Sequence, residues 1–285
     1  MTTNKPLNHC AQMRLPDDQL IEAARLAILE NPDNAPEKNG KSNVDIKSYK
    51  MALLVKKKWS NGRILRVRFL DGDPFVHKKV KEYANQWSRY ANIKFQFGND
   101  PNAEIRISFK QEGYWSYLGT DNLSIPKDQA TMNFEGFDIN TKEEEFSRVV
   151  LHEFGHCIGL AHEQSSPGAD IPWDKDAVYD YYAKRGWSKP MVDHNVLSKL
   201  DPNEVVYTPH DKLSIMQYPV PEELTIGDYK IGWNTTLSNT DKQFISKMYP
   251  IESEDVLNSE IEDITTVKVA SPENDTKNPI EEQQS

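Results

Sequence analysis

The sequence predicts an α/β (α+β) fold, in which a twisted mixed sheet of about five strands packs against two long helices and is followed by an irregular half closing on a final helix. Three observations lead there. Short apolar stretches bounded by turn residues recur between residues 64 and 134. Two longer stretches, 74–90 and 142–158, repeat their apolar residues at helical spacing. Beyond residue 162 the chain is rich in loops until a last helical pattern at 240–249.

Taken in order, Leu20, Ile21, Ala24, Ala27 and Ile28 set a helix within residues 15–29, which Asp17 or Asp18 can cap. It is expected outside the main domain, because the Pro-, Asn- and charge-rich residues 31–43 read as a linker and place a boundary near Val44. Residues 1–45 are then an N-terminal extension, a candidate pro-segment, and 46–250 the main domain. Ile64, Val67 and Phe69 mark the first strand of that domain. Asp73-Pro74 opens a helix that runs through Tyr90, with proline in its first turn and Val76, Val80, Tyr83, Ala84 and Trp87 on one face. Strands are expected at 93–97 and 103–109, and WSYLG, DNLSI and ATMNF supply further extended pieces between turns. Thr141 and Glu144 offer a capping box for a helix that carries Phe146, Val149, Val150 and Phe154 and ends at Gly159. A short helix follows at 175–185, and Ser238 or Asn239 can open the last one. The acidic tail, 251–285, is expected to be loosely ordered.

Composition narrows the class of function. The 37% hydrophobic content supplies a sizeable core for 285 residues. A net charge of -10 repels nucleic-acid phosphates, which excludes DNA and RNA as expected partners. Only Cys10 and Cys157 are present, too few for a disulfide framework. No apolar run reaches the length of a membrane span and the first residues lack the pattern of a standard signal peptide. The expectation is a soluble monomer, either cytoplasmic or exported by a specialised route such as delivery of a bacterial effector into a host.

The chemistry is concentrated in residues 152–163, HEFGHCIGLAHE. Two histidines four apart on a helix face the same way, so His152 and His156 can offer nitrogens to one ion at about 2.0–2.1 Å. His162 lies ten positions beyond His152. On a continuous helix that offset is about 80° of rotation and about 15 Å of rise, out of reach of the same ion. A reversal at Gly159, where a missing Cβ permits positive φ, brings His162 back. Three histidines leave one tetrahedral position for water, which is the arrangement of a catalytic zinc. Glu153, beside the first ligand, is placed to accept the proton of that water.

This string matches the extended zinc signature of metzincin endopeptidases, and Glu163 directly after the third histidine resembles the astacin branch. Ser214-Ile215-Met216-Gln217-Tyr218 resembles the family's Met-turn, with Gln217 where histidine is usual. The resemblance, over roughly residues 60 to 250, implies a zincin fold whose cleft lies between subdomains at about 60–160 and 161–250. It also implies that Met216 forms an apolar pedestal under the imidazoles, and that Tyr218 is both an extra metal ligand at rest and a donor to the reacting carbonyl oxygen. Trp115 and Tyr117 look like the family's Trp-Ser-Tyr segment, and residues 122–125, with Asn122, Leu123 and Ser124, like the edge strand along which substrate lies antiparallel. The expected reaction is hydrolysis of internal peptide bonds in a protein or peptide substrate. A catalytically idle peptide-binding module and a hydrolase of non-peptide amides or esters are the alternatives.

Cys10 is the expected latency ligand. A thiolate is among the best zinc donors, and the chain before Val44 is long enough to reach back across a cleft. His9 is an alternative donor at the same place.

Overall fold

The computed structural model of the protein describes residues 10–36, 56–202 and 205–252. Alternating burial builds the sheet, as β2 (Ile64–Phe69) shows by turning Leu65 and Val67 inward while Ile64 faces out. β3 (Lys94–Phe97), β4 (Ile105–Ser108), β5 (Tyr114–Tyr117) and β6 (Met132–Phe134) follow. A sixth strand, β1 (Cys10–Met13), comes from the N-terminal segment. The order is β1-β5-β6-β4-β2-β3, with every pair parallel except β5 and β6. The mixed sheet expected from the sequence is therefore present, with one strand more than expected.

Two helices cover it. α2 (Pro74–Ala84) starts where Asp73 accepts the Phe75 N–H, and buries Val76, Val80, Tyr83 and Ala84. It stops short of Tyr90 in favour of a 3-10 turn at Trp87–Arg89, yet Trp87 remains buried and donates its indole N–H to Leu151 O. α3 (Glu143–Cys157) contributes Phe146, Val150 and Phe154 to the same core. Its expected capping box does not form, because Thr141 instead accepts the Asp138 N–H; three glutamates in the first turn complement the helix dipole.

The N-terminal helix departs from expectation. α1 (Leu20–Glu30) is not set apart: Leu20, Ala23, Ala24 and Ala27 pack with Leu15 against Ile125 and Tyr117. Asp17 and Asp18 do not cap it and lie in a 3-10 turn. Asn34 then ties the segment down by donating to Ala27 O and Lys58 O and accepting the Lys58 N–H. The proposed boundary at Val44 lies outside the described residues, as does His9.

A second departure concerns residues 119–124. They form a 3-10 turn (Gly119–Ser124) and no strand. The Asn122 amide donates to Tyr117 O and Gly119 O, a local side-chain contact that competes with sheet pairing. At Gly119 a Cβ would stand 1.8 Å from Lys57 O, so the backbone turns where only glycine fits. The sheet edge on this side belongs to β1.

In the C-terminal half, α4 (Lys175–Ala183) is capped by Asp174, and α6 (Asn239–Met248) has a capping box between Ser238 and Asp241. Between them α5 (Lys189–Val192) runs into a π-turn at Asp193–Leu197, which the sequence reading missed. The described residues up to Pro250 form one compact unit; of the tail beyond it only Ile251 and Glu252 are described. No helix among the described residues is long and apolar enough to cross a membrane.

Candidate active site

The site is built on the last turn of α3. His152 and His156 sit one turn apart with both rings buried, and each Nδ1 is held by a carbonyl at 2.7 Å, from Ile215 and Leu160 respectively. Those bonds orient the rings so that each Nε2 faces the same point. The helix ends at Cys157, Gly159 takes a φ of 100°, and the Leu160 N–H returns to Gly155 O. This reversal delivers His162, whose Nε2 lies 3.0 Å from that of His156. Cys10, at the start of β1, completes the group: the ligand atoms of Cys10, His152, His156 and His162 all lie within 4.8 Å of one another.

The donor set fits zinc. Two nitrogens bound at about 2.0–2.1 Å in a tetrahedron stand about 3.4 Å apart, close to what is seen. His152 Nε2 and both Glu153 oxygens are buried without a hydrogen bond of normal geometry, a cost of about 1–3 kcal/mol each that a cation offsets. Burial holds His152 down to about 4 against the help of its Ile215 bond, and pushes His156 and His162 well below the usual range. All three are therefore neutral at pH 7, the form that ligates. Burial raises Glu153 to about 8, opposed by the Cys10 thiol and the Arg148 charge, and raises Cys10 through burial and the facing Glu153. A dication favours the charged form of both groups.

Met216 is buried with Sδ against Gly155, which lies between His152 and His156 on α3. The turn that carries it is anchored from α6. Asp241 accepts the Ser214 hydroxyl and the Ile215 N–H, and the Glu163 N–H reaches Met216 O. The Tyr218 ring lies 4.4 Å from that of His162, and its hydroxyl donates to the carbonyl oxygen of Cys10. Gln217 bonds His210 Nε2 at 2.8 Å and donates to Tyr218 O.

Of the residues expected along the substrate, Trp115 and Tyr117 lie on β5 and pair with Ala11 and Met13 of β1. Asn122, Leu123 and Ser124 do not reach the cleft as an edge strand, because they belong to the 3-10 turn. The cleft is lined by Cys10, Tyr114, Arg148, Glu153, Tyr218 and Trp233. Arg148 stacks over the Trp233 ring at 4.1 Å and is paired with Glu145. Sequence reasoning overlooked Asp241, Gln164 and Asn195. For Asp241 the one signal available is the Ser238-to-Asp241 spacing, which announces a helix cap only; Gln164 and Asn195 had none.

The family model described as Astacin, a peptidase family, matches residues 53–250. A solved structure of myroilysin is 46% identical, covering 69% of this chain and 97% of that one with a TM-score of 0.67. A crystal structure of myroilysin, also 46% identical, covers 68% and 86% with a TM-score of 0.55. Two Caenorhabditis elegans zinc metalloproteinases, nas-23 and nas-30, are each 26% identical, over 55% and 54% of this chain. The match spans only 27% and 18% of those two proteins. Matched by that family model over more than half of its length, and with a buried Cys/His cluster that is its zinc centre, the chain belongs to the astacin family of peptidases.

Proposed function

We propose that the protein is a monomeric zinc-dependent endopeptidase, working between halves at about 60–160 and 161–250, and held latent by its N-terminal segment with Cys10 as the fourth zinc ligand. The observation that carries this reading is the convergence of Cys10 with His152, His156 and His162 within 4.8 Å, beside the fully buried Glu153 carboxyl. Zinc, when bound, supplies a Lewis acid for the peptide carbonyl and makes water acidic enough to yield a proton near neutral pH.

The rest falls to the chain's own residues. Glu153 is the proton acceptor and passes the proton to the leaving amine. Tyr218, whose phenol burial keeps protonated, is a donor for the charge that develops on the carbonyl oxygen once the Cys10 carbonyl has left it. β5, freed of β1, offers main-chain groups to an extended protein or peptide substrate, recognition indifferent to side chains.

The reading is tested on one preparation by zinc stoichiometry and peptide cleavage. Glu153→Gln is expected to keep its zinc and to lose at least about 10³-fold in turnover. Undiminished cleavage would remove Glu153 from its role, and a chain that binds no zinc would end the reading altogether.

A further inference from the structure

The N-terminal strand is gripped from two sides, and the second grip is not part of the sheet. The main-chain groups of a strand point alternately to its two neighbours, so residues of one parity face β5 and those of the other face away. On β1 the groups facing away are met by the C-terminal half. The Cys10 carbonyl accepts the Tyr218 hydroxyl, and two residues on, the Gln12 N–H donates to Asn195 Oδ1 at 3.0 Å. Along this edge of β1 the C-terminal half thus offers a donor for a carbonyl and, two residues on, an acceptor for an N–H.

Asn195 is held for this contact. It lies on the π-turn after α5, an irregularity that recurs at functional sites, and it is buried. Its Nδ2 donates to Met191 O at 3.1 Å, which leaves Oδ1 to accept from β1. Its carbonyl accepts Gln164 Nε2 at 2.9 Å, and Gln164 Oε1 in turn accepts the Tyr218 N–H at 3.1 Å. Gln164 is buried and stands two residues past His162. A single amide therefore sets the spacing between the Tyr218 wall and Asn195.

From this geometry we infer that Asn195 is a substrate-binding residue: its Oδ1 accepts a main-chain N–H of the extended peptide that replaces β1, close to the bond being cleaved. The inference rests on the endopeptidase reading and adds to it a residue that reads backbone, not side chain. Tyr218 and Asn195 together would then engage one edge of the peptide while β5 engages the other.

The test uses the zinc-loaded, full-length Cys10→Ser chain, with and without Asn195→Leu, and a set of peptides in each of which one non-scissile main-chain N–H is replaced by an ester oxygen. Competition from β1 cancels when each ester peptide is compared with its amide parent on the same enzyme. With Asn195 present, one ester position is expected to lower kcat/KM by about 3–10-fold, the worth of one neutral hydrogen bond. With leucine at 195 that ratio is expected to collapse to about one, and Asn195→Asp, which keeps an acceptor oxygen, to restore it. In the parent chain, amide exchange at Gln12 is expected to quicken with leucine and not with aspartate. Ester ratios unchanged by Asn195→Leu at every position, in a protein whose melting shows it folded, would overturn the inference. Failure of the zinc-loaded Cys10→Ser chain to cleave any parent peptide would instead overturn the endopeptidase reading and this assignment with it.

Discussion

Gly155 and Met216 pack so closely that a Cβ on the glycine would stand 2.3 Å from the methionine Sδ and 3.3 Å from Trp87. The glycine is helical, so its role here is space and not backbone freedom. Gly155→Ala is expected to push Met216 away from the histidine-bearing turn of α3, at a cost of about 1–3 kcal/mol for overpacking. Urea unfolding and competition with a chelator check both parts. Wild-type stability together with wild-type zinc retention would show that Met216 yields without consequence.

The Tyr218 hydroxyl donates to the Cys10 carbonyl, and in the proposed mechanism it turns to the reacting oxygen instead. Tyr218→Phe is expected to lower kcat by about 10²–10³-fold, the loss typical of one oxyanion donor, with little change in KM. A series showing only a raised KM contradicts the role, since that pattern marks loss of ground-state binding.

Cys10→Ser replaces a strong zinc donor by a weak one while leaving β1 and α1 in place. Cleavage by the full chain is expected to rise at least about tenfold, equivalent to about 1.4 kcal/mol less preference for the closed state. Truncation before Val44 is a poorer test, because it also uncovers Ile125 and Tyr117 beneath α1. With zinc content equal, a variant no faster than its parent shows that the thiol is not the plug.

Glu104 is buried and accepts from Arg66 Nε and the Arg66 N–H, with Arg63 at 3.2 Å. Burial alone would raise its pKa, but the Arg66 contacts outweigh it and hold the carboxyl below the usual glutamate value. A carboxylate lowered on folding contributes stability that is full above its unfolded pKa, about 4.3, and is lost as pH falls through the folded value. Glu104→Gln is expected to cost about 3 kcal/mol at pH 7, the low end for breaking a buried pair. That difference should shrink as pH falls below about 4, so urea midpoints at pH 7, 5 and 3 that differ equally would contradict the account.

The sequence by itself determined the three histidine ligands of the metal cluster and the elements that hold them. Helical periodicity places His152 and His156 on one face, and Gly159 is where a chain can reverse to bring back His162. The Asp73 cap and the Ser238-to-Asp241 spacing open α2 and α6 for equally local reasons. Only the tertiary structure decided what lies in the cleft. β1 joins β5 across about a hundred residues, and the Tyr218-to-Cys10 and Gln12-to-Asn195 bonds cross 208 and 183 positions. Nothing in the four residues CAQM names a partner, because a strand's hydrogen-bonding groups are the same in every sequence and pairing depends on which edge the fold leaves open. The 3-10 turn at Gly119–Ser124 left that edge to β1, and the close approach of Lys57 O to Gly119 belongs to packing that no local pattern encodes.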